Sequence, residues 1–357
     1  MSGPIKVAVL DDYQGISEPK FRALDPARFE VSFFKDTLRP YNHPDTPQEI
    51  KDKLVARLEP FTVISTMRER TPFPSELIAR LPNLKLVLTT GNRNRGLDLD
   101  AFQARGIPVA GAMGRHGSVG SDSTTEHTVA LVLAAARNIA QDDLSVKTGG
   151  WQTVPTVGLA GKVFGTVGLG RLGTAVAQIM KKAFGMRVVA WSENLTQERA
   201  DEKAREAGLP VEDGEGNKTF KAVSKEELFR TADVVSVHVV LSDRSRGCIA
   251  ARDLELMKPT AIFVNTSRGP LVVEKDLLRV LEQGKIRAAA LDVFDLEPLP
   301  LDSPWRTTKW GQDGRSRVLL TPHMGYVEEE TLDAWYDLQV ENLLRWEKGE
   351  ELQVRLW

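Results

Sequence analysis

The sequence predicts an α/β protein with parallel sheets, divided between two domains. Three observations carry this. Short apolar runs alternate with helical patterns along the chain, which is the pattern of strand–helix–strand units. The 357 residues exceed what one ordinary hydrophobic core accommodates. A glycine-rich turn, Gly168-Leu-Gly-Arg-Leu-Gly173, joins a strand pattern to a helix pattern.

The first strand is expected at Lys6–Leu10. A helix is expected from near Thr46, where Thr46 and Glu49 have capping-box spacing and Pro47 suits the first helical position. Ile50, Leu54 and Leu58 recur on one face of it. Strands at about Thr62–Ser65 and Lys85–Thr89 follow, with a short helix between. A long helix then runs from about Ser123 to Ala140, apolar on nearly all sides, which suits a core or an interface. Glycines at 149, 150, 158 and 161 mark a loop.

A second α/β unit starts at Lys162. Its expected strands are Lys162–Val167, Arg187–Trp191, Asp233–Val240, Ala261–Asn265, Ala288–Val293 and Val318–Thr321. Ser224 and Glu227 cap a helix among them. Six strands alternating with helices suit a doubly wound dinucleotide-binding sheet. The last helical pattern runs from about Val327 to Glu347, with no strand after it. Glu212–Lys221 and Trp305–Arg317 read as loop insertions.

Composition removes several function classes. Hydrophobic residues make up 41% and charged residues 27%, which is ordinary globular usage. A net charge of -2 gives no basic patch for nucleic acid. The start, MSGPIKVAVL, lacks the basic and apolar regions of a signal peptide, and no apolar run approaches the roughly 18 residues of a membrane span. Cys248 is the single cysteine, so a reducing compartment, the cytoplasm, is expected. Cys248 itself reads as a small half-buried residue. No metal-ligand pattern is found.

The glycine turn reads as G-x-G-x-x-G. Gly168 permits the tight turn, Gly170 lets backbone approach a pyrophosphate, and Gly173 allows close helix packing. Free N–H groups at the helix start hold the anion. The next strand ends Ala190-Trp-Ser-Glu-Asn194. Ser192 stands where an NAD site usually has an acid bonded to the ribose, and Glu193 follows. Serine tolerates a 2′-phosphate and Glu193 repels one, so NAD(H) or NADP(H) is expected with a lean to NAD(H).

Three later segments carry a family pattern: Phe263-Val-Asn-Thr-Ser-Arg-Gly-Pro270, Ala288-Ala-Ala-Leu-Asp-Val-Phe-Asp-Leu-Glu-Pro298 and Leu319-Leu-Thr-Pro-His-Met-Gly325. With Val167-Gly-Leu-Gly-Arg-Leu-Gly173 and Thr125-Glu126-His127, the chain from about residue 80 resembles the D-isomer-specific 2-hydroxyacid dehydrogenases. The resemblance implies a Rossmann dinucleotide domain at 118–326 and a smaller, discontinuous α/β substrate domain at 1–117 and 327–357, with the active site in the cleft between them. It implies NAD(P)-dependent hydride transfer between a small 2-keto acid and its 2-hydroxy acid. Arg268 would anchor the carboxylate with its planar fork. His323 would be the general acid, since its pKa lies near neutrality. Glu297 would orient His323 and favour its charged form.

By the same resemblance, further cofactor contacts fall on Arg171 and Leu172 over the pyrophosphate, on Val239 and Val240, on Thr266, on Asp292 near the nicotinamide carboxamide, and on Gly325. Substrate contacts fall on Gly91, Asn92 and Arg93. His238 is expected to line the cofactor pocket and His127 to be structural; His43 and His116 have no matching context. The apolar helix at 123–140 suggests a homodimer.

The chain departs from the family in two places. Val240 stands where members often have proline two residues after the histidine of an H-x-P-L-T stretch. Thr89-Thr-Gly-Asn-Arg-Asn94 replaces a run of small residues, so Asn92 and Arg93 could read a second carboxylate or a phosphate, or point to solvent. A different class, a dinucleotide-sensing binding protein like the corepressors built on this fold, stays open. Formate or phosphite oxidation is a further reading without a positive signal.

Overall fold

The computed structural model describes residues 3–113 and 122–357, and His116 and the expected boundary at 117–118 lie outside the described residues. The chain forms two compact units. One comprises Met1–Val119, Leu296–Pro298 and Val327–Trp357, and the other Gly120–Asp295 and Leu299–Tyr326.

The first unit runs β1 (Ile5–Leu10), α1 (Ser17–Arg22), β2 (Phe29–Phe34), α2 (Gln48–Leu58), β3 (Val63–Thr66), α3 (Ser75–Ala79), β4 (Leu86–Thr89), α4 (Leu99–Ala104) and β5 (Val109–Ala110). Its sheet is parallel with order β2-β1-β3-β4-β5. Chain order reverses between β1 and β3, so their carboxyl ends flank a topological switch point, the usual ligand position in open α/β sheets. The second unit runs α5 (Ser123–Arg137), α6 (Ile139–Lys147), β6 (Val163–Val167), α7 (Arg171–Phe184), β7 (Arg187–Trp191), α8 (Gln197–Glu206), β8 (Phe220–Ala222), α9 (Lys225–Thr231), β9 (Val234–Val237), α10 (Ala251–Leu254), β10 (Ile262–Asn265), α11 (Glu274–Glu282), β11 (Ala288–Leu291), α12 (Pro304–Thr307) and β12 (Arg317–Leu320). Its parallel sheet has the order β12-β11-β10-β9-β6-β7-β8, with the switch between β6 and β9. The central strands β6, β9, β10 and β11 are buried on both faces, as parallel strands covered by helices must be.

The terminal helix α13 (Glu329–Glu347) belongs to the first unit. Leu332, Trp335, Tyr336 and Leu343 are buried on one side of it, each such burial contributing about 1.5–3 kcal/mol. Gln339 is fully buried and accepts from the Ser65 hydroxyl at the end of β3. Lys20 of α1 pairs with Asp333 at 2.7 Å and with Asp337.

Several expectations change. The second sheet has seven strands, not six: β8 pairs with β7 through Val188 and Phe220, and Phe220 fills the core at 1% exposure. So the 212–221 segment is only partly a surface turn. Asp213 accepts from the N–H groups of Glu215 and Asn217 there, and its end is a strand. The edge strand β2 and the two-residue β5 were also not expected; β2 has one buried residue in six, and β5 is too short to show a period. The strand expected to Val240 ends at Val237, after which Val240 is 67% exposed.

The long helix expected from 123 to 140 breaks at Asn138, which takes a left-handed φ of 56°. Asparagine tolerates that conformation. Its buried side chain donates to Thr153 Oγ1 at 2.8 Å, which fixes the break. The capping box at Thr46 does not form. Its hydroxyl donates to the Pro40 carbonyl at 2.7 Å, and Pro47 is itself the N-cap. At α9 half of the expected box forms: Ser224 accepts from Glu227 N, while the Glu227 carboxylate pairs with Lys221. The 305–317 segment is anchored by Trp305, which is 2% exposed and packs against Phe294 and Trp310.

Candidate functional site

The glycine turn follows β6. Gly168 has φ +102°, and a Cβ there would stand 2.9 Å from the His238 carbonyl carbon and the Val239 nitrogen, which follow β9. Its N–H donates to the Trp191 carbonyl at 2.7 Å, so one glycine ties together the carboxyl ends of β6, β7 and β9. A Cβ on Gly173 would stand 2.1 Å from the Gly168 carbonyl oxygen, so only glycine lets α7 start this close. Gly170 is different. It is the exposed N-cap of α7, and a Cβ there meets nothing within 4 Å among the described residues. No protein atom there calls for glycine, whereas an approaching ligand would. The first turn, Arg171-Leu172-Gly173, carries no acid, and Gly170 has no side chain to cap its N–H groups. This cradle fits a pyrophosphate. Arg171 is exposed and pairs with Asp122 at 2.6 Å.

At the end of β7, Ser192 is half-buried and Glu193 exposed. Arg199 returns to this loop from α8 and donates to the Asn194 carbonyl at 2.9 Å. His238 is held by Ser236 Oγ at 2.8 Å, and burial pushes its pKa down to about 4, so it is neutral at physiological pH.

At the end of β10, the buried Asn265 brackets the segment carrying Arg268. Asn265 Nδ2 donates to the Arg268 carbonyl at 3.0 Å and Oδ1 accepts from Ser267 N at 3.0 Å. Ser267 Oγ donates to the Val239 carbonyl at 2.8 Å. Gly269 crosses so close to Phe294 that a Cβ would lie 2.0 Å from its carbonyl. Thr266, 7% exposed, shares a hydrogen bond with Thr128 of α5 at 2.7 Å.

Asp292, just past β11, is 1% exposed. Its Oδ1 accepts from Thr321 Oγ1 at 2.6 Å and from Met324 N at 2.9 Å, and Oδ2 from Gly325 N at 3.0 Å. His127 Nε2 lies 3.2 Å from the same Oδ1. Burial raises the carboxyl's pKa, but the hydrogen bonds from His127, Thr321 and Met324 outweigh it and hold it below the ordinary value. Between the clamped positions stands His323, in left-handed backbone at φ 51°, its ring edge-on to Tyr326 at 5.9 Å. Arg268 and His323 are both half-buried in the second unit, and Glu297 is half-buried in a segment that groups with the first.

In the first unit, Gly91 follows β4 at φ +77°, and its carbonyl accepts from Ala112 N at 2.9 Å. Asn92 and Arg93 are exposed. Arg68, past β3, was not singled out in the sequence. Its Nη1 would lie 2.6 Å from a Cβ on Gly91, so the guanidinium covers that glycine. The signal was the run Met67-Arg-Glu-Arg-Thr71, two arginines just after a strand. Asn265 was not singled out although it lies inside the Phe263–Pro270 run and its contacts are two and three residues away, and His127, expected to be structural, meets Asp292 across 165 residues. Among the described residues, no cluster of three or more His, Cys, Asp or Glu could hold a metal ion, and no helix is long and apolar enough to cross a membrane.

Comparison with known proteins gives concordant results. Residues 129–325 match the model for the NAD binding domain of D-isomer specific 2-hydroxyacid dehydrogenases. A glyoxylate reductase of Aeropyrum pernix is 35% identical over 283 residues, 77% of this chain and 76% of the relative. A D-3-phosphoglycerate dehydrogenase of Methanocaldococcus jannaschii is 34% identical over 302 residues, 84% of this chain, which spans about half of that relative (52%). The crystal structure of a phosphoglycerate oxidoreductase from Vibrio cholerae superposes with a TM-score of 0.78 at 32% identity, covering 97% of this chain and 99% of that one. A pyrophosphate cradle at the switch point of a seven-stranded parallel sheet and these likenesses lead to one conclusion: the chain belongs to the D-isomer specific 2-hydroxyacid dehydrogenases, a family of NAD-binding oxidoreductases.

Proposed function

We propose that this protein reduces a small 2-keto acid to its D-2-hydroxy acid, and oxidises it in reverse, with His323 as general acid and base. The observation that carries the reading is the clamped turn. A buried carboxylate, Asp292, fixes the residues on both sides of His323 and leaves the imidazole half-buried on a left-handed corner. A rigid backbone around one titratable side chain suits proton transfer, which needs fixed geometry first.

The bound nicotinamide supplies the hydride in reduction and takes it in oxidation. His323 gives its proton to the carbonyl oxygen as the carbonyl carbon is reduced. Arg268, bracketed by Asn265, holds the carboxylate in a bidentate fork and draws charge from the neighbouring ketone. Glu297 is the orienting carboxylate of the set. Gly168, Gly170, Arg171, Leu172 and Gly173 hold the pyrophosphate, Ser192 and Glu193 the adenosine ribose, and Val239, Val240, Thr266, Asp292 and Gly325 the rest of the cofactor. Gly91, Asn92 and Arg93, with Arg68 beside Gly91, are the substrate contacts of the first unit, the proposed substrate domain. Glyoxylate, hydroxypyruvate and 3-phosphoglycerate are the substrate classes to test first, being those the relatives' names carry.

We further read the chain as a cytoplasmic homodimer without nucleic-acid partners. Cys248 is the single cysteine and forms no intrachain disulfide, which suits a reducing compartment. Ile139, Leu144 and Val146 of α6, with Trp151 and Val154 beyond it, are exposed apolar residues in one stretch and suit a covering second copy.

The test is oxidation of NADH and NADPH with a panel of 2-keto acids, wild type beside His323→Ala. Turnover that falls by about 10²–10⁴-fold in the variant supports the reading. Tight cofactor binding with no turnover on any acid would overturn it in favour of a dinucleotide-sensing protein.

A further inference from the structure

His127 lies on α5, 165 residues from the carboxylate it meets. Its Nε2 stands 3.2 Å from Asp292 Oδ1 and 3.2 Å from Thr321 Oγ1. The protons in this group can be assigned by elimination. Asp292 is held ionised, so both its oxygens only accept. Thr321 has one hydroxyl proton and places it on Asp292 at 2.6 Å, so toward His127 its oxygen accepts. Both neighbours of Nε2 therefore need a donor, and Nε2 must carry the proton. That closes a ring of three side chains from α5, the end of β11 and the end of β12.

The ring does not stop at packing. Asp292 also accepts from Met324 N and Gly325 N, the two amides that follow His323. Thr321 is two residues before His323, and His323 N donates back to the Thr321 carbonyl at 3.1 Å. Asp292 and Thr321 thus both hold the left-handed corner, and His127 donates to both. The next residue of the same helix, Thr128, bonds Thr266 past β10 at 2.7 Å, so this turn of α5 braces three strand ends at once.

We propose that His127 is a positioning residue for the reaction: its Nε2–H, shared between Asp292 and Thr321, sets the conformation of the 321–325 turn and so the placement of the His323 imidazole. This rests on the reading of His323 as the general acid. His127 touches neither substrate nor the reacting atoms in this account. A displaced acid slows the chemical step while leaving ground-state binding nearly intact, which separates the role from a general loss of structure.

The experiment has two parts. Long-range ¹H–¹⁵N spectra of the wild-type protein are expected to show Nε2 of His127 protonated; a bare Nε2 would overturn the proposal without any variant. Steady-state kinetics then compare His127→Ala, His127→Gln and His323→Ala on the 2-keto acid that the wild type turns over fastest. Gln places an amide donor where Nε2 stands. His127→Ala is expected to lower kcat ~10–100-fold. KM for keto acid and cofactor should stay within about threefold, and His127→Gln should recover most of kcat. Wild-type kcat in folded His127→Ala, or equal losses in Ala and Gln, would overturn the proposal. Unchanged turnover in His323→Ala would instead overturn the assignment of the acid; an inactive His323→Ala beside an unaffected His127→Ala sinks the positioning role alone.

Discussion

A Cβ on Gly173 would stand 2.1 Å from the carbonyl oxygen of Gly168, whereas one on Gly170 would meet nothing within 4 Å among the described residues. The two glycines of one motif therefore answer to different demands. Gly173→Ala must push α7 away from the turn, and overpacking of this kind costs about 1–3 kcal/mol. Gly170→Ala has φ -83° and open space, so its stability should lie within about 0.5 kcal/mol of wild type. Thermal unfolding and NADH titration check this. The expected result is a lowered Tm for Gly173→Ala, and an unchanged Tm with weakened cofactor binding for Gly170→Ala. Undiminished binding in Gly170→Ala would remove the argument that a ligand approaches there.

Asp11 gives a pH-dependent prediction. It sits past β1 in left-handed backbone at φ 62°, 2% exposed, and accepts from Thr37 and from Thr71 Oγ1 at 2.7 Å. Burial raises its pKa from 3.8 to about 6, with the two threonines and Arg70 opposing. The folded state thus binds this proton more tightly than the unfolded chain. The stability linked to it is fully present below 3.8 and is lost as pH rises through about 6. Asparagine keeps the shape, tolerates the backbone and carries no charge. Asp11→Asn should raise stability at pH 8 by on the order of 2 kcal/mol and leave it nearly unchanged at pH 4. Chemical denaturation at the two pH values reads this directly, and an equal effect at both would show that Asp11 is not held in its neutral form by the fold.

Cofactor choice turns on the end of β7. In the proposed assignment Ser192 would accept either ribose; Glu193 is exposed beside it, and Arg199 reaches the same loop through Asn194. With the acid present, a 2′-phosphate meets net repulsion, and NADH should give the higher kcat/KM. Glu193→Gln removes the charge and leaves Arg199, so the NADPH value should rise about tenfold while that for NADH changes little, one exposed charge contact being on the order of 1 kcal/mol. A wild-type preference for NADPH would show that Arg199 and not Glu193 dominates the loop.

The second sheet was legible because its strands are continuous apolar runs and its glycine turn has a fixed physical cause. What escaped had local patterns that tertiary contacts overrode. Phe220 lies after a Gly- and Asp-rich turn, yet it pairs with Val188 and fills a core. Asn138 stands inside an apolar run that reads as unbroken helix, and a bond to Thr153, 15 residues on, makes it a corner. At the site, His323 and Arg268 were candidates from the motifs around them. Asn265 was not, although its side chain brackets Arg268 from three residues away, and His127 was expected only to be structural, because its contact with Asp292 spans 165 residues and leaves no spacing in the sequence.

Arg93 tests the departure of the first unit from the family pattern. It is exposed beside Asn92, just after Gly91, whose left-handed φ of 77° sets the corner. Backbone groups around Gly91 would hold one carboxylate whatever stands at 93. A guanidinium adds something only for a substrate with a second anionic group, where a partly exposed charge-assisted hydrogen bond contributes about 1.5–3 kcal/mol. Arg93→Ala should therefore raise KM about tenfold or more for a substrate with a second anionic group, such as 3-phosphohydroxypyruvate, and leave that for glyoxylate within about twofold. The ratio of the two KM values, measured in wild type and variant with one cofactor, is the reading. Equal changes for both would mean that the Arg93 side chain faces solvent and that the backbone alone recognises the acid.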